Sequence, residues 1–193
     1  MSGSIKLKHA SGNGVIISAP SSNPAADRTL ELPSNADGTI LTTTSPKTGN
    51  IIQVVQTFKN DSFSTTSTSY VDITGFSVTI TPSSTSNKIL LLNFAGISTS
   101  GNSSVQWMNL LRGSTAIAQP SVSTGFSSTA TIYPAANGNM VSWSYSFLDS
   151  PNTTSAVTYK WQIKGYTNTQ YINQRSLNDM PRTATMIAME VAG

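Results

Sequence analysis

The chain has 193 residues, a net charge of +3 and no cysteine, which suits one domain of ordinary size with a smaller appendage. Without cysteine, neither disulfides nor thiolate metal sites can stabilise the fold. Charged residues make up only 10%, against a usual share of about a quarter, and the Lys and Arg residues form no basic stripe, which excludes nucleic acid as a partner. Abundant Ser and Thr beside β-branched and aromatic residues are typical of an all-β fold.

The first 46 residues differ from the rest of the chain. They contain four short strand-like segments, SIKLKH, GVIISA, RTLELP and GTILTT, separated by turn-forming stretches. Gly12-Asn13-Gly14 lacks the Lys and the following helix of a phosphate-binding loop, so we interpret it as a hairpin turn. So few apolar side chains cannot form a core unaided, and we predict that residues 1–46 are an extended docking or oligomerisation arm. The predicted contact residues are Ile5, Leu7, Val15, Ile16, Ile17, Leu30, Leu32, Ile40 and Leu41.

After a linker at TTTSPKTGN (42–50), residues 47–193 predict a jelly-roll-like antiparallel β-sandwich of about eight strands. Apolar and polar residues alternate in VSWSYSF (141–147) and VTYKWQIK (157–164), which we interpret as a strand pair with one buried face. A shift of parity at Thr74-Gly75 predicts a bulge. KILLLNFAGI (88–97) is apolar without alternation and predicts a central strand covered on both faces.

Two further features concern the end of the domain and its turns. VQWMNLLRGSTAIA predicts a hairpin that turns at Gly113-Ser114. The last strand, within TATMIAMEVAG, is expected to lie inside the sheet.

The ionisable residues do not suggest catalysis. His9 is the single histidine, and it lies in the arm without the acid and nucleophile that a hydrolase needs beside it. Asp27, Glu31 and Asp37 match no calcium-loop spacing, and the remaining acids form no evident pair for glycoside hydrolysis. We therefore expect no catalytic residues, no metal site and no cofactor.

The candidate binding residues are aromatic. Tyr70, Tyr133, Tyr166 and Tyr171 lie near predicted strand ends or loops, where Tyr side chains stack on sugars or fill interfaces. Tyr133, Tyr166 and Tyr171 are the predicted glycan-contact residues. Packing within the domain is the simpler interpretation, and contact with a host surface polysaccharide is the alternative.

Two stretches of the chain resemble known proteins. The arm, SIKLKHASGNGVIISAPSS…RTLELPSNADGTILTT, resembles N-terminal segments of fibre-like virion proteins of tailed bacteriophages that infect cyanobacteria or other aquatic bacteria. The sequence from GNIIQVVQTF to MEVAG, with LRGSTAIA and LDSPNTTSAVTYKWQIK, is similar to the compact β-domain that follows in such proteins. The resemblance spans nearly the whole chain, and it implies a tail fibre, a head fibre or a capsid decoration protein, usually trimeric.

From the residues and this resemblance together we predict a non-enzymatic virion structural protein. It is expected to be a homotrimeric capsid decoration or short fibre protein that is attached to the major capsid protein or to tail or adaptor proteins through its arm. The alternative is a tail fibre that recognises host carbohydrate during host attachment. The N-terminus has no signal-peptide core and no run approaches a membrane span, so we expect synthesis in the host cytoplasm, a final location in the virion and no membrane insertion.

Overall fold

The structure, a computed structural model, describes residues 4–8, 10–18, 46–102, 104–121, 127–134, 139–175 and 181–193. The chain separates into two units, residues 1–40 and 41–193. The predicted division at residue 46 stays a prediction. The predicted strands at RTLELP and GTILTT, and His9, lie outside the described residues.

In the first unit, the predicted hairpin at Gly12-Asn13-Gly14 is confirmed. Strand β1 (Ser4–Lys8) pairs antiparallel with β2 (Gly14–Ser18). Gly12 has a φ of 113°, a conformation that glycine adopts without a steric penalty. Within this turn Gly12 has the positive φ, and Gly14 is the first residue of the second strand.

The second unit is an antiparallel sandwich, and the predicted all-β, jelly-roll-like class is confirmed. Its described residues form seven strands of seven residues or more and four of three residues. The long strands are β3 (Ile51–Lys59), β5 (Val71–Ile80), β6 (Lys88–Thr99), β7 (Gln106–Arg112), β10 (Val141–Asp149), β11 (Val157–Gly165) and β13 (Ala184–Val191). The short ones are β4 (Phe63–Thr65), β8 (Thr115–Ile117), β9 (Ala130–Ile132) and β12 (Gln170–Ile172).

Two sheets make up the sandwich, each four strands wide. In the first sheet β6 pairs with β10 along one edge and with β13 and β12 along the other. Strand β13 also pairs with β3, and β12 also pairs with β4. In the second sheet β11 lies between β5 and β7, and β7 also pairs with β8 and β9. This crossing of successive strands between two sheets is the jelly-roll arrangement. The last strand, β13, lies between β3 and β6, as predicted.

The core fills the space between the sheets with large side chains. Trp161, Tyr159, Phe76 and Met108 are fully buried. The ring of Trp143 on β10 lies 4.8 Å from that of Trp161 on β11, edge to face, a favourable aromatic geometry. The indole N–H of Trp161 donates to Asn93 Oδ1 of the opposite sheet at 3.0 Å, which satisfies two buried polar groups at once.

The predicted pairing of VSWSYSF with VTYKWQIK is wrong. Their alternation is as expected, since Ser142, Ser144 and Ser146 are exposed and Tyr159, Trp161 and Ile163 are buried. However, β10 pairs with β6, and β11 pairs with β5 and β7. The two segments lie in different sheets and face each other across the core. Each has one face buried in that core, so each shows the same alternation of apolar and polar residues that the two strands of a hairpin would show.

The prediction for β6 is correct in position and only partly correct in burial. The strand is central, but Phe94 is 41% exposed and Leu90 and Leu92 are only half-buried. Both faces of β6 are buried only from Gly96 to Thr99, because the outer face of the first half has no described element covering it.

The predicted bulge and hairpin turn are found. Between the pairs Lys160–Ser77 and Gln162–Asp72, Trp161 alone opposes residues 73–76 of β5, so the irregularity is larger than the single extra residue expected. Gly75, with a φ of 75°, lies within it. Gly113-Ser114 joins β7 and β8 after the pair Arg112–Thr115, with a φ of 60° at Gly113, as a two-residue hairpin turn requires.

Candidate functional site

The first candidate surface is the hairpin of the first unit. Its register places Ile5 opposite Ile17 and Leu7 opposite Val15, so these four positions share one face of the two-stranded sheet. Leu7 is 59% exposed and Ile17 51% exposed. Ile16, on the other face beside Lys6, is also exposed. The remaining predicted arm residues, Leu30, Leu32, Ile40 and Leu41, lie outside the described residues.

The second candidate surface was missed by the sequence reasoning. The outward side chains of β3, β13, β6 and β10 form a surface that we call the apolar face. It combines exposed residues of β3, β6 and β10 with half-buried residues of β13 and β6. The exposed members are Ile51, Val54, Phe58, Phe94 and Leu148, and the half-buried ones are Leu90, Leu92, Ile187, Met189 and Val191.

Strand register arranges these residues in rows across the sheet. One row runs from Phe58 through Thr185 and Phe94 to Ser144, and another runs from Val54 through Met189 and Leu90 to Leu148. A signal for this face was present in the sequence, because KILLLNF and TMIAMEV are apolar at both parities. Such runs predict two apolar faces, but not whether the chain itself covers the second one.

The apolar face is uneven in relief. Phe58 is 60% exposed on β3 at one edge. Near the opposite edge lies a hollow of about 310 Å³, lined by Leu92, Asn93, Ser144, Tyr145 and Ser146. The small serine side chains of β10 leave this space beside the larger residues of β6.

The predicted glycan-contact residues fall into two places. Tyr133 directly follows Ile132, which pairs with Gln106, and the amide of Tyr166 donates to the carbonyl of Val105 at 3.2 Å. Tyr133 and Tyr166, which are 56% and 62% exposed, therefore lie at the same end of the second sheet. Tyr171 lies in β12 of the first sheet and pairs with Ser64 and Ser98.

Further aromatic groups surround Tyr166. Its ring meets that of Trp107 edge to face at 6.3 Å. The Lys164 ammonium lies 4.6 Å from the ring centre of Tyr70 and 5.3 Å from that of Trp107, within the range of cation–π attraction. Burial raises the pKa of the Tyr70 phenol. Tyr70 is one of the candidate tyrosines named from the sequence, whereas Trp107 and Lys164 were not predicted.

The acids of the described part are each held by a different partner. Asp61 pairs with the buried Lys59 at 2.6 Å, and that hydrogen bond lowers the pKa of Asp61. Asp72 pairs with Lys160 at 2.7 Å, and hydrogen bonds from Lys160 and then Gln162 lower its pKa. Asp149 accepts from Arg112 at 3.0 Å and from the Tyr159 hydroxyl at 2.7 Å.

Glu190 is the most enclosed of these acids. It is fully buried and accepts from the amide of Asn87 and the backbone N–H of Ser83, both at 2.6 Å. Burial acts to raise the pKa of Glu190, but the hydrogen bonds from Asn87, Gln53 and Ser83 outweigh it, and the pKa lies below its usual value. The acids are thus used in separate structural contacts. Within the described ranges, no three residues among His, Cys, Asp and Glu form a group able to hold a metal ion.

The structure contains no helix, among the residues that it describes, that is long and apolar enough to cross a membrane. Comparison of the sequence with protein-family models and with curated proteins gives no match. Comparison with solved structures does give matches.

One similar structure is that of infectious bursal disease virus, strain Gt, with a TM-score of 0.40, 16% identity, and coverage of 94% of this chain and 46% of that chain. The structure of the infectious bursal virus derived T=1 particles matches with a TM-score of 0.38 and 14% identity, and the match covers 94% of this chain and 46% of that chain. The tripod from the baseplate of bacteriophage Tuc2009 matches with a TM-score of 0.25 and 12% identity, and the match covers 91% of this chain and 82% of that chain. The chain thus spans about half the length of the bursal disease virus chains. At these TM-scores the similarities assign neither a family nor a function.

Proposed function

We propose that this chain is a non-enzymatic structural protein of a bacteriophage virion, a homotrimeric capsid decoration or short fibre protein attached through its N-terminal arm. The resemblance of the arm and of the β-domain to fibre-like virion proteins supports this proposal. So does the separate structural use of each described acid, because an enzyme needs converging reactive groups in one cleft.

The observation that carries the proposal is the hairpin of the first unit. An isolated two-stranded hairpin is at best marginally stable in water, and this one exposes Leu7 and Ile17 on one face. Its strands also retain free edges within the described part of the first unit, which are available for pairing with another chain. A neighbouring copy or another virion protein would cover the apolar face of the hairpin and complete its sheet.

Incorporation into particles tests this division of labour. A tagged chain that lacks residues 1–46 is expected to remain soluble but to be absent from purified virions of the encoding phage, whereas the tagged full chain is present. The double substitution Leu7→Ser/Ile17→Ser is expected to have the same effect. Its matched control, Lys6→Ser/Lys8→Ser, alters the other face of the same hairpin and is expected to incorporate normally. Incorporation of the truncated chain would refute attachment through the arm.

The trimer is tested on the purified protein. We expect the arm to hold three copies together, so that Leu7→Ser/Ile17→Ser lowers the mass measured by sedimentation velocity while the far-UV circular dichroism spectrum is retained. An unchanged mass for this variant would place the threefold contact elsewhere.

A second candidate function is recognition of host surface polysaccharide, which the position of two tyrosines favours. Tyr133 and Tyr166 are exposed at one end of the second sheet, and Trp107 and Lys164 lie beside Tyr166. Exposed aromatic rings with adjacent polar groups suit the stacking and hydrogen bonding of sugar rings. A glycan array of the full chain tests this function. Binding that is lost in Tyr166→Ala and retained in Tyr171→Ala would support it, and no binding to any host polysaccharide would remove it.

A further inference from the structure

The geometry points to a second role for the sandwich: we propose that the apolar face is a self-association surface on which two copies of this chain pack face to face. The inference does not depend on the virion role, and it assigns a contact that the arm does not provide.

Charge favours a second copy as the partner. Across the apolar face, the charged side chains among the described residues are Lys88, at one end of β6, and Arg182, which lies against Gly96 near the other end and donates to Ser142 at 3.0 Å. An acidic, basic or phosphate-bearing partner would find no complementary group between them. The partner must therefore present an apolar face of its own, and a second copy always does.

The size of the apolar face suits a reversible pair of copies. Seven residues of β6 pair with β13 along this face. Four strands about 4.8 Å apart and about 3.4 Å per residue then give an area of about 450 Å² per copy before side-chain relief. Two copies would cover about 900 Å², close to the lower limit of about 1,000 Å² for a specific interface. The expected pair is therefore reversible and of moderate affinity.

The shape of the apolar face is complementary to itself. Phe58 and the serine-lined hollow lie near opposite edges of the same face, about 12 Å apart by strand spacing. A two-fold axis that runs parallel to the strands between β13 and β6 exchanges these edges. It brings Phe58 of each copy over the hollow of the other, and Val54 of each copy over Leu148 of the other. A cavity of about 150 Å³ admits a benzene ring, so the hollow of about 310 Å³ has room for the phenyl ring.

Sedimentation velocity of the full chain tests the pair. Phe58→Lys places a charge where the phenyl ring is expected to enter the hollow of the other copy, and we expect it to weaken association by at least about thirtyfold, as for a buried aromatic anchor. The matched control is Thr79→Lys, an exposed position on the outer face of the second sheet, which is expected to associate as the wild type does. Ser144→Phe fills the hollow and is also expected to weaken association.

Thiol cross-linking gives the specific readout, because the chain has no cysteine of its own. Sheets that pack face to face lie about 10 Å apart, too far for a direct disulfide, so a short bifunctional thiol reagent is used. In Phe58→Cys/Ser144→Cys the reagent is expected to yield covalent dimers, whereas a link within one chain leaves the mass of a monomer. Thr79→Cys/Ser144→Cys is expected to yield no covalent dimers.

Three outcomes would overturn the inference. These are a monomeric wild-type chain, equal association of Phe58→Lys and Thr79→Lys, and the absence of the expected cross-link. A monomeric wild type would leave the apolar face to a different apolar partner. The cross-link is expected to persist in Leu7→Ser/Ile17→Ser, which separates this contact from the proposed arm contact.

Discussion

The two outer faces of the sandwich have opposite character although the sheets share one core. On the second sheet, Asp72 accepts from Lys160 and from Gln162, both at 2.7 Å. The hydroxyls of Thr79 and Thr158 are 2.8 Å apart across the β5–β11 pair. The part of this face formed by β5 and β11 consists of polar cross-strand pairs that suit contact with water, and β7 adds Trp107 and Leu111, which are both buried. The first sheet instead presents Val54, Phe58 and Phe94.

The contrast shows which features come from folding and which require another explanation. Both inner faces must be apolar because they form the core, so their composition says nothing about function. An outer face is free to be polar, as the second sheet demonstrates in the same chain. Apolar residues kept on the outer face of the first sheet weaken solubility without contributing to the core, and contiguous exposed patches of this kind mark interaction surfaces.

The largest effect on stability is expected at Glu190, whose buried carboxylate accepts hydrogen bonds from the turn at residues 81–87. Glu190→Ala leaves the donors of Asn87, Gln53 and Ser83 without their acceptor. We expect a loss of about 3 kcal/mol or more in the free energy of unfolding, since each buried donor left unsatisfied costs about 1–3 kcal/mol. Urea denaturation followed by tryptophan fluorescence measures it. A loss equal to that of the exposed Asp72→Ala would contradict this assignment.

The same carboxylate predicts a dependence of stability on pH. The hydrogen bonds hold the pKa of Glu190 below its usual value in the folded chain. The stabilisation is therefore complete above the unfolded-state pKa of about 4.3 and is lost as the pH falls through the lower, folded-state pKa. Melting temperatures measured from pH 7 to pH 3 are expected to fall less steeply at the acid end in Glu190→Gln. Parallel curves for the two proteins would exclude this contribution.

An intermediate effect is expected at a contact that links the two sheets in the same cross-strand row, since Asp149 and Glu190 both pair with Ile89. The Tyr159 hydroxyl of β11 donates to Asp149 of β10 at 2.7 Å. Burial, and then the hydrogen bond to Asp149, raises the pKa of the Tyr159 phenol. Tyr159→Phe removes one hydrogen bond to a charged group and is expected to cost about 1.5–3 kcal/mol. Arg112 continues to pair with Asp149 in this variant. A stability equal to that of the wild type would show that the hydroxyl is not needed to satisfy Asp149.

Sequence reasoning succeeded where a pattern depends on local geometry. Alternation placed Trp143 and Trp161 on buried faces, and turn chemistry located the Gly113-Ser114 hairpin. It failed where a pattern is compatible with two arrangements. Because β10 and β11 are consecutive and both alternate, they predict a hairpin as well as they predict two strands facing across a core.

The candidate surfaces divide in the same way. The paucity of apolar residues in the arm is a property of composition, so a docking role could be predicted for it from the sequence, and that role stays a prediction. The apolar face depends on β3, β13 and β6 being neighbours, and β13 pairs with residues that lie about 90 to 140 positions away in the sequence. Only the pairing shows that Phe58 and Phe94 belong to one row. No short window of the sequence contains that information.

The smallest effect is expected from the ion pair on the polar outer face. Lys160 and Asp72 are partly exposed, with 29% and 51% of their side chains accessible, so solvent screens their attraction. A double-mutant cycle with Lys160→Met and Asp72→Asn is expected to give a coupling of about 0.2–1 kcal/mol that declines with added salt. The cycle also sharpens the contrast between the faces. If the polar face is directed to water, the coupling should be the same at low and high protein concentration. A coupling that grows with protein concentration would mean that association buries this face as well, and the distinction between the two outer surfaces would then fail.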